Sequence, residues 1–147
     1  MPERATIRRA REDKRQGKSP STQAGEFVRE EIHHIREGKH GARSTKQAIA
    51  IGLSKARRAG VKLPTPAKGT ASAETRRKAK ADSAKGRRKT KPDPARSRAM
   101  TKKLRGEGRA AASHRALSRQ ARSTARRRTA AQRSASARKA ARTRARG

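Results

Sequence analysis

Arginine and lysine dominate whatever chemistry this chain can do: 44 of them stand against 11 Asp and Glu in 147 residues, a formal net charge of +33. A surplus of that size repels itself in a compact state and attracts dense polyanions. Duplex nucleic acid carries one negative charge per ~1.7 Å of axis, and basic groups that neutralise its phosphates release condensed counterions. The candidate phosphate-binding residues are Lys46, Arg57, Arg58 and Lys68, the runs Arg76-Arg77-Lys78 and Arg87-Arg88-Lys89, and the C-terminal group Arg126, Arg127, Arg128, Arg138, Lys139, Arg142, Arg144 and Arg146. After Lys103 the only lysine is Lys139. Arginine's planar fork pairs with phosphate bidentately and enters narrow minor grooves.

Other chemistry is thinly represented. His33, His34 and His40 invite a metal reading, with His33 and His40 seven residues apart and Glu30 and Glu37 nearby. No cysteine joins them, and glutamate beside arginine on a helix is ordinarily a surface ion-pairing residue, so no metal site is expected. The serines form no nucleophile elbow, and no Gly-Lys-Ser/Thr element marks a phosphate-binding loop. Phe27 is the one aromatic residue, too little to wall a dry pocket that shifts pKa values. The chain is therefore expected to be non-enzymatic and to need no cofactor. Single-strand binding by base stacking is disfavoured on the same ground. A helix-turn-helix reader is disfavoured because the link between the two predicted helices is longer than the usual turn and a third helix is missing.

The elements that must position the basic groups read as three segments. Residues 1–20 are polar and charged and are expected to form a flexible basic arm; their interspersed acids argue against a transit peptide. Residues 21–63 hold nearly every large apolar residue. Val28, Ile32 and Ile35 share a helical face beside Phe27, and a helix over about 22–37 is expected, capped by Ser21 or Thr22 and ended at Gly38. A second helix starts at a capping box, Ser44-Thr45-Lys46-Gln47, and ends at Gly60 in a Schellman motif with Val61, before Pro64. Ile49, Leu53 and Ala56 line its apolar face. The short loop 39–43 predicts an antiparallel two-helix hairpin, small enough that dimerisation through it is an alternative to standing alone. Residues 64–147 carry 28 basic and 4 acidic residues and read as a disordered Ala/Arg/Lys/Ser-rich tail, with Ala-rich stretches that gain helix once phosphates screen the arginines. The expected fold class is thus mostly disordered with a small all-α module: a hairpin plus a basic low-complexity tail. No apolar run approaches the ~20 residues of a membrane span.

Two resemblances add to this. The run from Ser44 to Gly60, with Glu37-Gly38-Lys39-His40-Gly41 before it, resembles a bacterial family of small basic proteins with a domain of unknown function; the likeness spans about residues 26–62. It implies a bacterial origin and assigns no catalytic or ligand residues. The tail is similar in composition to those of linker histones and bacterial histone-like proteins, and Thr65-Pro66-Ala67-Lys68 resembles the Ser/Thr-Pro-x-Lys turns of linker-histone tails.

Together these readings predict a cytoplasmic, nucleoid-associated protein that binds double-stranded DNA without sequence preference by neutralising phosphate. The alternatives from other classes are an RNA-binding or ribosome-associated protein, and a protein-interaction module localised by its tail.

Overall fold

The structure, a computed structural model, describes residues 1–146. It contains seven α-helices and, among the described residues, no strand. In chain order these are α1 (Arg4–Arg15), α2 (Pro20–Arg36), α3 (Thr45–Arg58), α4 (Ala73–Arg88), α5 (Pro94–Arg105), α6 (His114–Arg126) and α7 (Ala130–Arg146), with a single 3-10 turn at Ala110–Ala112.

The boundary signals of α2 and α3 act much as their chemistry requires. Gly38 and Gly60 both adopt left-handed φ, +77° and +93°. Each closes a Schellman motif: Lys39 N donates to His34 O and Gly38 N to Ile35 O, then Val61 N to Ala56 O and Gly60 N to Arg57 O, all at 3.0–3.1 Å. Ser44 Oγ accepts from Gln47 N at 3.1 Å, while the Gln47 amide reaches one residue further back than a capping box, accepting from Arg43 N at 2.7 Å. The start of α2 differs from expectation: the cap is Ser19, which accepts from Thr22 N at 3.4 Å, and Pro20 takes the first helical position, where its missing N–H costs nothing.

The mostly disordered, two-helix reading is overturned. The expected arm is α1, and the expected tail holds four helices. Strong intrinsic propensity (Ala, Arg and Lys rank high) is joined by a cap at each tail helix. Ser72 accepts from Thr75 N at 3.1 Å, Asp93 from Ala95 N at 2.8 Å, and Ser113 from Ala116 N at 3.1 Å. Before α7, Thr129 and Gln132 form the reciprocal box, each side chain accepting from the other's backbone N–H at 3.2 and 3.0 Å.

Two small apolar clusters hold α1, α2, α3 and α6 together. In one, Phe27, Ala24, Ala10 and Ala56 pack with Ile7, Leu53, Val61 and Leu63. In the other, Ile32, Ile35, Ala42 and Ala48 pack with Ala111, Ala112, Val28 and Leu117. Early α2 thus meets late α3 and the reverse, so the two run antiparallel. Gly52 makes their close approach feasible: a Cβ there would lie 2.7 Å from Val28 Cα. The core is larger than the sequence predicts because alanines of the tail complete it. Burial of Phe27 or Ile35 is worth roughly 1.5–3 kcal/mol each, and each alanine less.

The tail is tied down by polar contacts as well. Gly41 N donates to Leu104 O at 2.8 Å and Ala42 N to Gly108 O at 3.0 Å. Thr45 Oγ1 donates to Ala111 O at 2.6 Å and Arg36 Nε to Ala112 O at 2.8 Å. Further along α3, α4 docks through Asp82, whose carboxylate accepts from Ser54 Oγ and Arg58 Nε, both at 2.7 Å. By contrast, α7 buries no residue. Among the described residues no helix is long and apolar enough to cross a membrane.

Candidate nucleic-acid interface

Helix α6 places Arg115, Arg119, Arg122 and Arg126 at i, i+4, i+7 and i+11, and all four are exposed. That spacing is one face of a helix, so the four guanidinium groups form a stripe spanning roughly 16 Å at 1.5 Å per residue. From Ser113 onward the chain has twelve Arg and Lys and no acid. Leu117, between two stripe residues, packs on the core and fixes which way the stripe faces.

A shallow cleft joins this stripe to the start of α3, with Arg43, Ser44, Lys46, Arg119 and Ser123 on its walls. The first turn of a helix presents unpaired backbone N–H groups and the positive end of the helix dipole, both favourable to phosphate. Lys46, taken from the sequence as a phosphate contact, is therefore brought beside Arg119, which was not. The missed residues Arg115, Arg119 and Arg122 were legible in the sequence: their helical period is plain once the segment is read as a helix rather than a charge run.

The remaining basic residues fall into different environments. Arg138, Lys139, Arg142 and Arg146 of α7 gather beside Gly17 and Ser19 at the turn before α2. Arg77, Arg87, Arg88, Lys89, Arg126, Arg127, Arg144 and Lys68 are exposed. Arg128 is exposed but turned onto its own chain, donating to Gln132 O at 3.2 Å. Arg57 is buried, 8% exposed, with one guanidinium N–H donating to Pro64 O at 3.2 Å, and is out of reach of a phosphate. Arg58 is held by Asp82 at 2.7 Å and Lys78 by Glu74 at 2.6 Å, while Arg76 donates to Pro66 O at 3.0 Å. Lys78 holds the Glu74 carboxyl below its usual value of 4.5, and Lys39 does the same to Glu37. The Thr65–Lys68 segment leads into a turn closed by Thr70 N donating to Ala67 O at 3.1 Å.

The histidines divide otherwise than their spacing indicates. His33 is exposed and pairs with Glu37 at 2.8 Å. His34 and His40 converge instead on Glu31, and their rings stand edge to face 6.2 Å apart.

The architecture and the basic face define an all-helical, strongly cationic protein. Residues 11–68 match the model of a family of unknown function (DUF6496), a span that contains the region read from sequence as resembling a domain of unknown function. No curated protein and no solved structure gives a significant match. The tail beyond residue 68 lies outside the family match, and its likeness to linker-histone tails rests on composition.

Proposed function

We propose that this protein binds double-stranded DNA through its phosphates, without sequence preference, as a nucleoid-associated protein. The observation that carries the reading is the acid-free α6–α7 segment, with its ordered arginine stripe continued by Lys46 and the α3 N-terminus. An ordered stripe loses less side-chain and backbone entropy on binding than a coil of the same charge, and arginine can grip two phosphate oxygens at once. With no apolar pocket among the clefts described and no aromatic at the stripe, base stacking contributes nothing and the interaction is electrostatic.

The test is a salt titration by fluorescence anisotropy on two unrelated duplexes and a structured RNA. For about ten phosphates engaged, log K should fall with log salt at a slope near −9 on duplex DNA. Replacing Arg115, Arg119, Arg122 and Arg126 together with glutamine should flatten that slope by about 3–4 and weaken both duplexes alike, because phosphate contacts carry no base information. A salt-insensitive affinity, or a loss confined to one duplex, refutes the mechanism. Preference for the structured RNA at equal salt would instead favour an RNA-binding role.

A further inference from the structure

Glu31 is fully buried, and its Oε1 has no hydrogen-bond partner. Its other oxygen accepts from Lys55 Nζ at 2.7 Å, so the carboxylate is held with one oxygen satisfied and one free. His40 Nε2 lies 3.1 Å from that free oxygen, yet no hydrogen bond joins them. The other ring nitrogen, Nδ1, is 3.0 Å from Gly41 O and must carry a proton to make that bond, so in the neutral ring the lone pair is on Nε2. His34 is set in the same way from the other side: Nε2 lies 2.9 Å from Glu3 Oε1, leaving Nδ1 as its free nitrogen. One donor atom from each of Glu31, His34 and His40 falls within 4.8 Å of the others.

We propose that Glu31, His34 and His40 bind one divalent transition-metal ion of the zinc class. Two donor atoms that share a metal point at a third position and not at each other. With metal–ligand bonds of about 2.0–2.2 Å in a tetrahedral arrangement they stand roughly 3.4 Å apart, close to the separation between His40 Nε2 and Glu31 Oε1. Each histidine also has the outer partner that orients a metal ligand, a carboxylate for His34 and a backbone carbonyl for His40. Two imidazoles and one carboxylate favour zinc and its neighbours over magnesium or calcium, which take oxygen. Charge agrees at the buried carboxylates: Glu30 and Glu31 share the one cation Lys55, so the pair carries one negative charge more than that lysine supplies. A surface cleft lined by Glu3, Arg9, Arg29, Glu30, His33 and His34 opens beside one of the three residues, His34. The bound ion clasps the loop after α2 to α2 itself, and that loop is the one on which the 104–108 segment docks through Gly41 and Ala42.

The test uses the full-length, nucleic-acid-free, metal-stripped chain, titrated with zinc chloride against a chromogenic chelator and followed by imidazole 15N NMR, with magnesium as control. One zinc per chain should bind, the melting temperature should rise, and the ring nitrogens of His34 and His40 should shift while those of His33 and His114 do not. His40→Gln should weaken zinc at least about 10-fold, and Glu3→Gln, acting only through His34, by about 10-fold. His33→Gln should leave binding intact. The NMR result on the unaltered chain keeps the proposal testable even where a variant fails to fold. No zinc uptake, equal shifts at all four histidines, or undiminished binding in a folded His40→Gln overturns it; a melting temperature that follows pH but not zinc assigns the cluster to a proton instead.

Discussion

Two glycines inside neighbouring helices should respond to the same substitution with opposite signs. Gly25 of α2 is exposed, with nothing within 4 Å of the place a Cβ would occupy. Gly25→Ala therefore delivers only the helix-propensity gain of about 1 kcal/mol. Gly52 of α3 receives the same gain, but its added Cβ would meet Val28 Cα at 2.7 Å, Cγ2 at 2.9 Å and N at 3.0 Å. Two of those three atoms are backbone, so no rotamer change relieves the clash and α2 must move off α3. Overpacking of this kind costs about 1–3 kcal/mol, leaving Gly52→Ala neutral to about 2 kcal/mol destabilised and about 1–3 kcal/mol below Gly25→Ala. For a chain of this size that gap is on the order of 2–12 °C in melting temperature, readable by circular dichroism or calorimetry. If Gly52→Ala stabilises as much as Gly25→Ala, the close α2–α3 approach is wrong.

Other perturbations probe the polar core and the docked tail. Lys55→Met keeps volume but leaves Glu30 and Glu31 buried without their cation, so it should cost about 3 kcal/mol in a urea titration; an unchanged midpoint would mean that these carboxylates are not buried together. Asp82→Ala removes the acceptor shared by Ser54 and Arg58 and should loosen α4 by about 1–2 kcal/mol, seen as faster amide exchange confined to α4. Gly41→Ala would set a Cβ 1.9 Å from Glu107 O and should free the 104–112 segment, exposing Ala111 and Ala112 to exchange. Because Lys78 depresses the folded pKa of Glu74, that pair stabilises above the ordinary carboxyl value of 4.5 and fades as pH falls through the depressed one. The melting-temperature gap between the unaltered protein and Glu74→Gln should accordingly exist at neutral pH and close in acid.

What the sequence alone determined is local or additive. Net charge is a sum over residues, so the pull toward polyanions needs no fold. Gly38 and Gly60 signal helix ends because the left-handed φ they take is costly for any side chain bearing a Cβ, and Ser44 caps α3 through an oxygen three residues from its donor. The α6 stripe is equally local, a period of 3.6 in Arg115, Arg119, Arg122 and Arg126. Tertiary structure decided the rest. Composition argued for a disordered tail because like charges repel and little large apolar surface is there to offset chain entropy, yet Ala111 and Ala112 are core residues: their small size lets the chain come close enough for Thr45 and Arg36 to bond its carbonyls. Arg57 and Arg58 are adjacent in sequence, but one is buried and the other is committed to an aspartate 24 residues away. The histidine partnership was likewise invisible along the chain. Spacing set His33 with His40, whereas the turn of α2 points His33 outward and brings His34, with Glu31 three residues before it, against a loop residue whose position depends on a Schellman turn and on a backbone contact with Leu104. Proximity in three dimensions comes from packing, and here the packing runs through small residues that composition discounts.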